Sequence, residues 1–232
     1  MIKIKIDKIF LIWLVLKLLV TASVYAQKVN QFNAEGKRTG IWKKYYKNGA
    51  IRYQGQFKNG KEIGTFKFYD MSLSTQPIIV KEFSETSDTA LVKFYSIDGK
   101  LKSKGESVKK QRIGKWLYFF QNGKIISEEN YQKGLLHGML KNYYPSGRLT
   151  EQTNYAEGEK HGISKIYSED GVLLQEENYQ KGLLHGSCAY YDIKGELKER
   201  GSYNKGKREG KWEFYINGKL TEKKKKKLVK HN

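Results

Sequence analysis

The chain has 232 residues, 38% hydrophobic and 13% aromatic, with 44 lysines and arginines against 24 acidic residues and a formal net charge of +20. The aromatic share argues against a disordered chain in spite of the charge, and the single cysteine, Cys188, excludes an intramolecular disulfide. Glycine is frequent, at 23, and proline rare, at 2, which predicts many tight turns between regular strands.

Residues 1–26 read as a signal peptide. Lys3, Lys5 and Lys8 give a positive start, Ile9 to Val20 is apolar except for Lys17, and Val24 and Ala26 fit the small-residue pattern before a cut between Ala26 and Gln27. The apolar run falls short of the ~20 residues of a membrane span. Lys17 at mid-bilayer would cost about 2.5–3.5 kcal/mol. The alternative is a retained N-terminal membrane anchor. Cleavage removes four lysines and Asp7 and leaves a charge of +17. The expected location is the periplasm, the cell envelope or the medium, so nucleic acid is not an expected partner. The basic excess suits anionic lipid or acidic polysaccharide; a solvated lysine surface with no specific partner is the plainer explanation.

Residues 27–39 look like half a repeating unit, with Phe32 to Gly36 resembling the second half of a repeat. From residue 40 to 220 the repetition is plain. GIWKKYYKNG begins at Gly40, GTFKFYD at Gly64, TALVKFYSIDG at Thr89 and GKWLYFFQNG at Gly114. GMLKNYYPSG begins at Gly138, GISKIYSEDG at Gly162, GSCAYYDIKG at Gly186 and GKWEFYING at Gly210. EENYQKGLLHG occurs twice, at Glu128–Gly138 and Glu176–Gly186, and such identity points to internal duplication. Each unit reads as two short strands. Asn48-Gly49, Asn122-Gly123, Ser146-Gly147 and Asn217-Gly218 turn the chain, with positive φ expected at both central positions. A lone hairpin is marginal in water, so the copies must stack. The predicted fold is all-β: an elongated antiparallel array of about eight 24-residue hairpins, spanning on the order of 75 Å. Met71 to Asp88 departs most from the pattern, and is either a place of specificity or a decayed unit.

The residues able to carry chemistry have plainer readings. His137, His161 and His185 recur once per unit, roughly 10 Å apart by strand spacing, too far to converge on one metal. Glu128-Glu129 and Glu176-Glu177 point to opposite sheet faces and read as solvated scaffold, not as a glycosidase pair. Cys188 replaces an apolar packing residue and reads as a buried, inert thiol. Tyrosine doublets place one ring on each side of the sheet. From these, Tyr46, Tyr144 and Tyr190 form the candidate binding strip. The tail, residues 221–232, holds Lys223, Lys224, Lys225, Lys226 and Lys227. It acts either as a guard against edge-to-edge pairing or as a contact to an anionic surface.

GIWKKYYKNG and GKWLYFFQNG, each followed by an aromatic and a glycine turn, resemble the bacterial MORN-variant repeat, many of whose members are labelled YwqK-family antitoxins of toxin–antitoxin systems. The resemblance implies a β-hairpin array, protein-interaction or membrane-proximal roles, and no catalytic residues. No phosphate loop, Ser/His/Asp set or HExxH motif is present. The expectation is an exported, non-catalytic scaffold without cofactor or metal, binding a protein or an envelope component. An antitoxin-like inhibitor and an anionic-surface binder are the alternatives. The partner and the oligomeric state are not readable.

Overall fold

Aromatic and β-branched residues alternate with polar ones between closely spaced glycines, a pattern with no helical period. The computed structural model describes residues 28–72, 75–84 and 87–221, and every regular element among them is a strand. Strand β1 is Gln31–Phe32, β2 Arg38–Tyr45, β3 Ile51–Lys58, β4 Lys61–Tyr69, β5 Pro77–Phe83 and β6 Thr89–Tyr95. Strand β7 is Leu101–Val108, β8 Gln111–Phe119, β9 Ile125–Gln132, β10 Leu135–Leu136, β11 Gly138–Tyr143 and β12 Leu149–Ala156. Strand β13 is Glu159–Tyr167, β14 Leu173–Gln180, β15 Leu183–Tyr191, β16 Leu197–Asn204, β17 Lys207–Ile216 and β18 Lys219–Thr221. They form one antiparallel sheet of 18 strands, in which β10 and β11 are parts of one strand broken at His137, both against β9. The predicted all-β hairpin array is therefore the fold. Its last strand runs to Thr221, one residue into the expected tail, and the signal-peptide cut and Lys223–Lys227 lie outside the described residues.

Two kinds of turn alternate, one on each rim. On the first rim, Tyr46 N–H donates to the Ala50 carbonyl at 2.8 Å and Gly49 N–H to the Tyr46 carbonyl at 3.1 Å. Only the glycine there has positive φ, +82° at Gly49, and the same holds at Gly123 and Gly147. This corrects the expectation for Asn48, Asn122 and Ser146. The register shifts at Lys44/Tyr45, so the loop is longer than two residues and needs one left-handed position. Asn48 acts through its side chain, whose Oδ1 accepts from Ala50 N–H at 3.1 Å. The two-residue turns lie on the other rim: Asn59-Gly60, Lys133-Gly134, Glu157-Gly158, Lys181-Gly182 and Lys205-Gly206 have positive φ at both residues. Asn217-Gly218 shares that geometry, as expected.

Both rims are tied from copy to copy. Tyr46 Oη donates to the Tyr69 carbonyl at 2.9 Å, and Tyr144 Oη to the Tyr167 carbonyl at 2.9 Å. On the opposite rim, Gly60 N–H donates to Arg38 at 2.9 Å, Gly158 to Leu136 at 2.8 Å and Gly206 to Leu184 at 2.8 Å.

Apart from Tyr69 and Val80, the buried residues sit on one side of the sheet, the ring face. Phe57, Phe66 and Trp116 are buried there. Rings lie flat over glycines of the preceding strand: an added Cβ would meet Phe66 at 2.3 Å above Gly55, Trp116 at 2.3 Å above Gly105 and Trp212 at 2.4 Å above Gly201. Edge-to-face contacts continue across strands, with centroids 5.1 Å apart for Phe32–Trp42, 5.8 Å for Trp42–Phe57, 5.2 Å for Phe57–Phe66 and 5.4 Å for Phe66–Phe83. An arginine covers each tryptophan of the regular copies: Arg38 at 4.8 Å from Trp42, Arg112 at 4.6 Å from Trp116 and Arg208 at 3.9 Å from Trp212. The irregular segment keeps this plan. Pro77 opens β5, where a missing N–H is tolerated, and Ile79 packs on the cluster of Ala90, Val92 and Trp116.

Gly105→Ala should therefore cost about 1–3 kcal/mol by forcing Trp116 off its seat. Tyr144→Phe, which loses only a rim tie, should cost about 0.5–1.5 kcal/mol. Urea unfolding monitored by tryptophan fluorescence measures both.

Candidate interaction surface

Because side chains alternate along a strand, the register fixes which residues oppose the ring face. Lys43 faces Gln54, Gln54 faces Lys67, Lys67 faces Val80, Val80 faces Lys93 and Lys93 faces Lys104. Farther along come Leu117, Glu128, Lys141, Gln152, Lys165, Glu176, Ala189, Arg200 and Glu213. This column crosses the sheet as a ladder of charged and amide groups interrupted by Val80, Leu117 and Ala189. Beside it lie the aromatics at the strand ends. Gln54 Nε2 donates to Tyr69 Oη at 3.1 Å, Gln152 Nε2 to Tyr167 Oη at 3.3 Å, and Arg200 lies 5.8 Å from the Tyr215 ring.

The two halves of the ladder differ in charge. In the carboxy-terminal half acids are interspersed with the bases, and three bases meet one: Lys115–Glu128 at 2.8 Å, Lys165–Glu176 at 3.0 Å and Arg200–Glu213 at 2.6 Å. In the amino-terminal half Lys93 pairs with Glu82 at 2.8 Å and Lys104 lies 5.9 Å from the Phe119 ring. Among the described residues, Lys43 and Lys67 have no acidic partner within salt-bridge distance.

The structure does not bring Tyr46, Tyr144 and Tyr190 together as one strip. Tyr46 and Tyr144 are seventh in their units, and their hydroxyls are taken up by the rim ties. Tyr190 is fifth in its unit and lies on the ring face, donating to Glu177 at 2.6 Å. The doublet rule holds for Tyr190 and Tyr191, since Tyr191 lines a ladder-face groove with Arg200, Lys211 and Glu213.

The glutamate pairs diverge as expected. Glu128 takes Lys115 and Tyr143, whereas Glu129 accepts from Tyr131 Oη at 2.5 Å. Glu177 is a correction: it was expected on a solvated face but is 5% exposed. Its neighbours across the strands are Ser164 and Cys188, small enough to let the carboxylate sink into the ring face. There it accepts from Tyr179 at 2.7 Å and from Tyr190. Burial first, then these bonds to Glu177, push the Tyr179 and Tyr190 hydroxyls well above the usual tyrosine range. Cys188 is 5% exposed, and burial raises its thiol. His137 and His161 are exposed and His185 is half-buried. No group of three His, Cys, Asp or Glu side chains gathers to hold a metal among the described residues.

Two features escaped the sequence reading. The arginine caps have a local signal, a basic residue four positions before the tryptophan in RTGIW, RIGKW and REGKW. The unpaired lysines have none, because their isolation depends on what the neighbouring strands present.

The Glu128–Tyr143 pair makes the ladder face sensitive to pH. Lys115 donating to it holds the Glu128 carboxyl below its usual range; partial burial opposes this and Tyr143 adds to it. Burial, then Glu128, pushes the Tyr143 hydroxyl up to about 12. The depressed Glu128 stabilises the fold above its unfolded pKa, and that contribution is lost as pH falls through the folded value. The raised Tyr143 contributes fully below the ordinary tyrosine pKa, and its contribution is lost as pH climbs through about 12. Urea midpoints across pH should fall less steeply on the acid side for Glu128→Gln and on the alkaline side for Tyr143→Phe.

Residues 38–59, 112–133, 136–157 and 160–181 match the MORN repeat variant. These segments coincide with β2–β3, β8–β9, β10–β12 and β13–β14. No curated protein matches the chain. Four stretches of the chain thus match the MORN repeat variant, and they lie inside a longer run of hairpins built on the same plan.

Proposed function

We propose that the protein is an exported, non-catalytic repeat scaffold that binds an acidic protein through the amino-terminal half of its ladder face. The observation that carries this reading is the charge asymmetry of the ladder. Lys43 and Lys67 stand without acidic partners on a face that no second layer covers among the described residues, in a column that holds no acid before Glu128, while the later column sets Glu128, Glu176 and Glu213 among its bases. Unpaired lysines on a flat, half-aromatic surface favour an acidic partner and speed its approach. Residues 1–26 supply the export part of the reading. An antitoxin-like role is a special case, in which the bound protein is a toxin.

The test is capture from an envelope extract on the immobilised chain. A single enriched acidic protein is expected, held less tightly as salt rises. The combined variant Lys43→Glu, Lys67→Glu should lose it while keeping the β-sheet circular dichroism of the parent. Retention by that variant contradicts the assignment of the face. Capture that survives protease treatment of the extract identifies a lipid or polysaccharide ligand instead. Export is checked separately, by an amino terminus at Gln27 on the protein recovered from cells.

A further inference from the structure

The two ends of the sheet carry complementary halves of one strand. Strand β17 runs from Lys207 to Ile216, but β18 covers only Phe214 to Ile216. Among the described residues nothing pairs with the outer edge from Lys207 to Glu213. Placing Gly210 on Gly40 makes the gap clear. In the first unit Lys44 faces Tyr53, and in the last Phe214 faces Thr221. Thr221 thus stands where Tyr53 does, and no described residue fills the positions of Gln54 to Lys58.

At the other end β1 has only the missing part. Its Gln31-Phe32 repeats the dipeptide Gln56-Phe57. Gln31 faces Thr39 and Phe32 faces Arg38, the same register by which Gln56 faces Ile63 and Phe57 faces Glu62. Strand β1 covers only the start of β2, and Phe32 is 61% exposed.

We propose that copies of this chain join head to tail, with β18 of one copy and β1 of the next lying end to end as a single strand between β17 and the following β2. In that register Phe32 faces Gly210 and Gln31 faces Lys211, as Phe57 faces Gly40 and Gln56 faces Ile41 within one copy. Phe32 then takes beside Trp212 the place that Phe57 holds 5.8 Å from Trp42. Trp212 has Tyr203 at 5.2 Å on its other flank. The rival occupant is the chain's own continuation beyond Thr221. In the same register it brings Lys223 to the Gly55 position and Lys225 to the Phe57 position. Lysine there meets Arg208, already 3.9 Å over the Trp212 ring, and supplies no ring of its own. A second copy completes the aromatic row, and the contact is heterologous, so growth is open-ended. The inference is independent of the ladder face and its ligand.

Sedimentation of the purified chain over a concentration series should show a mass that rises through dimer and trimer, and Phe32→Asp should return it to monomer with an unchanged circular dichroism spectrum. In a Cys188→Ala background, Gln31→Cys with Lys211→Cys should oxidise to a covalent ladder joined by that bond, since facing antiparallel residues lie ~4.5–5.5 Å apart, within disulfide reach. A monomer at every concentration overturns the proposal. So does a series that stops at dimer. Lys211→Cys with Lys224→Cys reports the rival: efficient closure within one chain shows the tail filling the edge and likewise overturns it.

Discussion

A single-layer sheet has only the depth of its side chains in which to exclude water, and here that depth comes from rings seated over glycines. Gly55, Gly105 and Gly201 lie beneath Phe66, Trp116 and Trp212, and none could bear a Cβ without displacing the ring. The missing side chain lets the aromatic lie flat on the backbone and present its edge to the next ring. The arginine above then closes the stack, combining charge–quadrupole attraction with cover for the ring. Each such ring is thus buried against the strand before it, which is why the array behaves as a chain of neighbours instead of a sum of hairpins.

The rims follow from the same requirement. Rings stack only if successive hairpins keep a constant register, and a one-residue slip would turn every ring to the opposite face. The two-residue turns fix register inside a hairpin, and their glycine N–H groups bond back to the previous copy. On the other rim the tyrosine hydroxyls of Tyr46 and Tyr144 reach forward to carbonyls of the next copy. Tyrosine at that position contributes reach: the hydroxyl spans from one turn to the next, as phenylalanine cannot. Phe120 fills the same place in its copy and lacks the tie.

The repeat period, the hairpin content and the glycine turns were legible because each is written many times along the chain. The identity of the turn was not. Asn-Gly suits a two-residue turn, but the bulge beside Tyr45 lengthens the loop and leaves Asn48 at negative φ. The burial of Glu177 was hidden for another reason. Its local sequence equals that of Glu129, which is half-buried, and the difference lies across the sheet, where Cys188 and Ser164 leave room for a carboxylate. The placement of Tyr46, Tyr144 and Tyr190 was hidden likewise: tyrosines adjacent in sequence separate into rim ties, ring-face donors and ladder-face rings once bulges shift the alternation.

Along the ring face the chemistry changes. The early copies bury Phe57, Phe66 and Val92, whereas the later ones bury Thr153, Ser164 and Glu177, which hydrogen-bond to one another or to tyrosines. A polar slot costs desolvation unless every group in it is satisfied, so the later copies depend on geometry where the early ones depend on area. The ladder face runs the opposite way, neutralised late and cationic early. The apolar early copies bury most of their rings on the ring face, and their other face, with Tyr69 and Val80 buried in it, still holds Lys43 and Lys67 without acidic partners. The later copies, with a hydrogen-bonded ring face, add cross-strand ion pairs on the ladder. Division of the two faces by the pleat is what lets one short repeat supply a stable support at one position and an open charged surface at another.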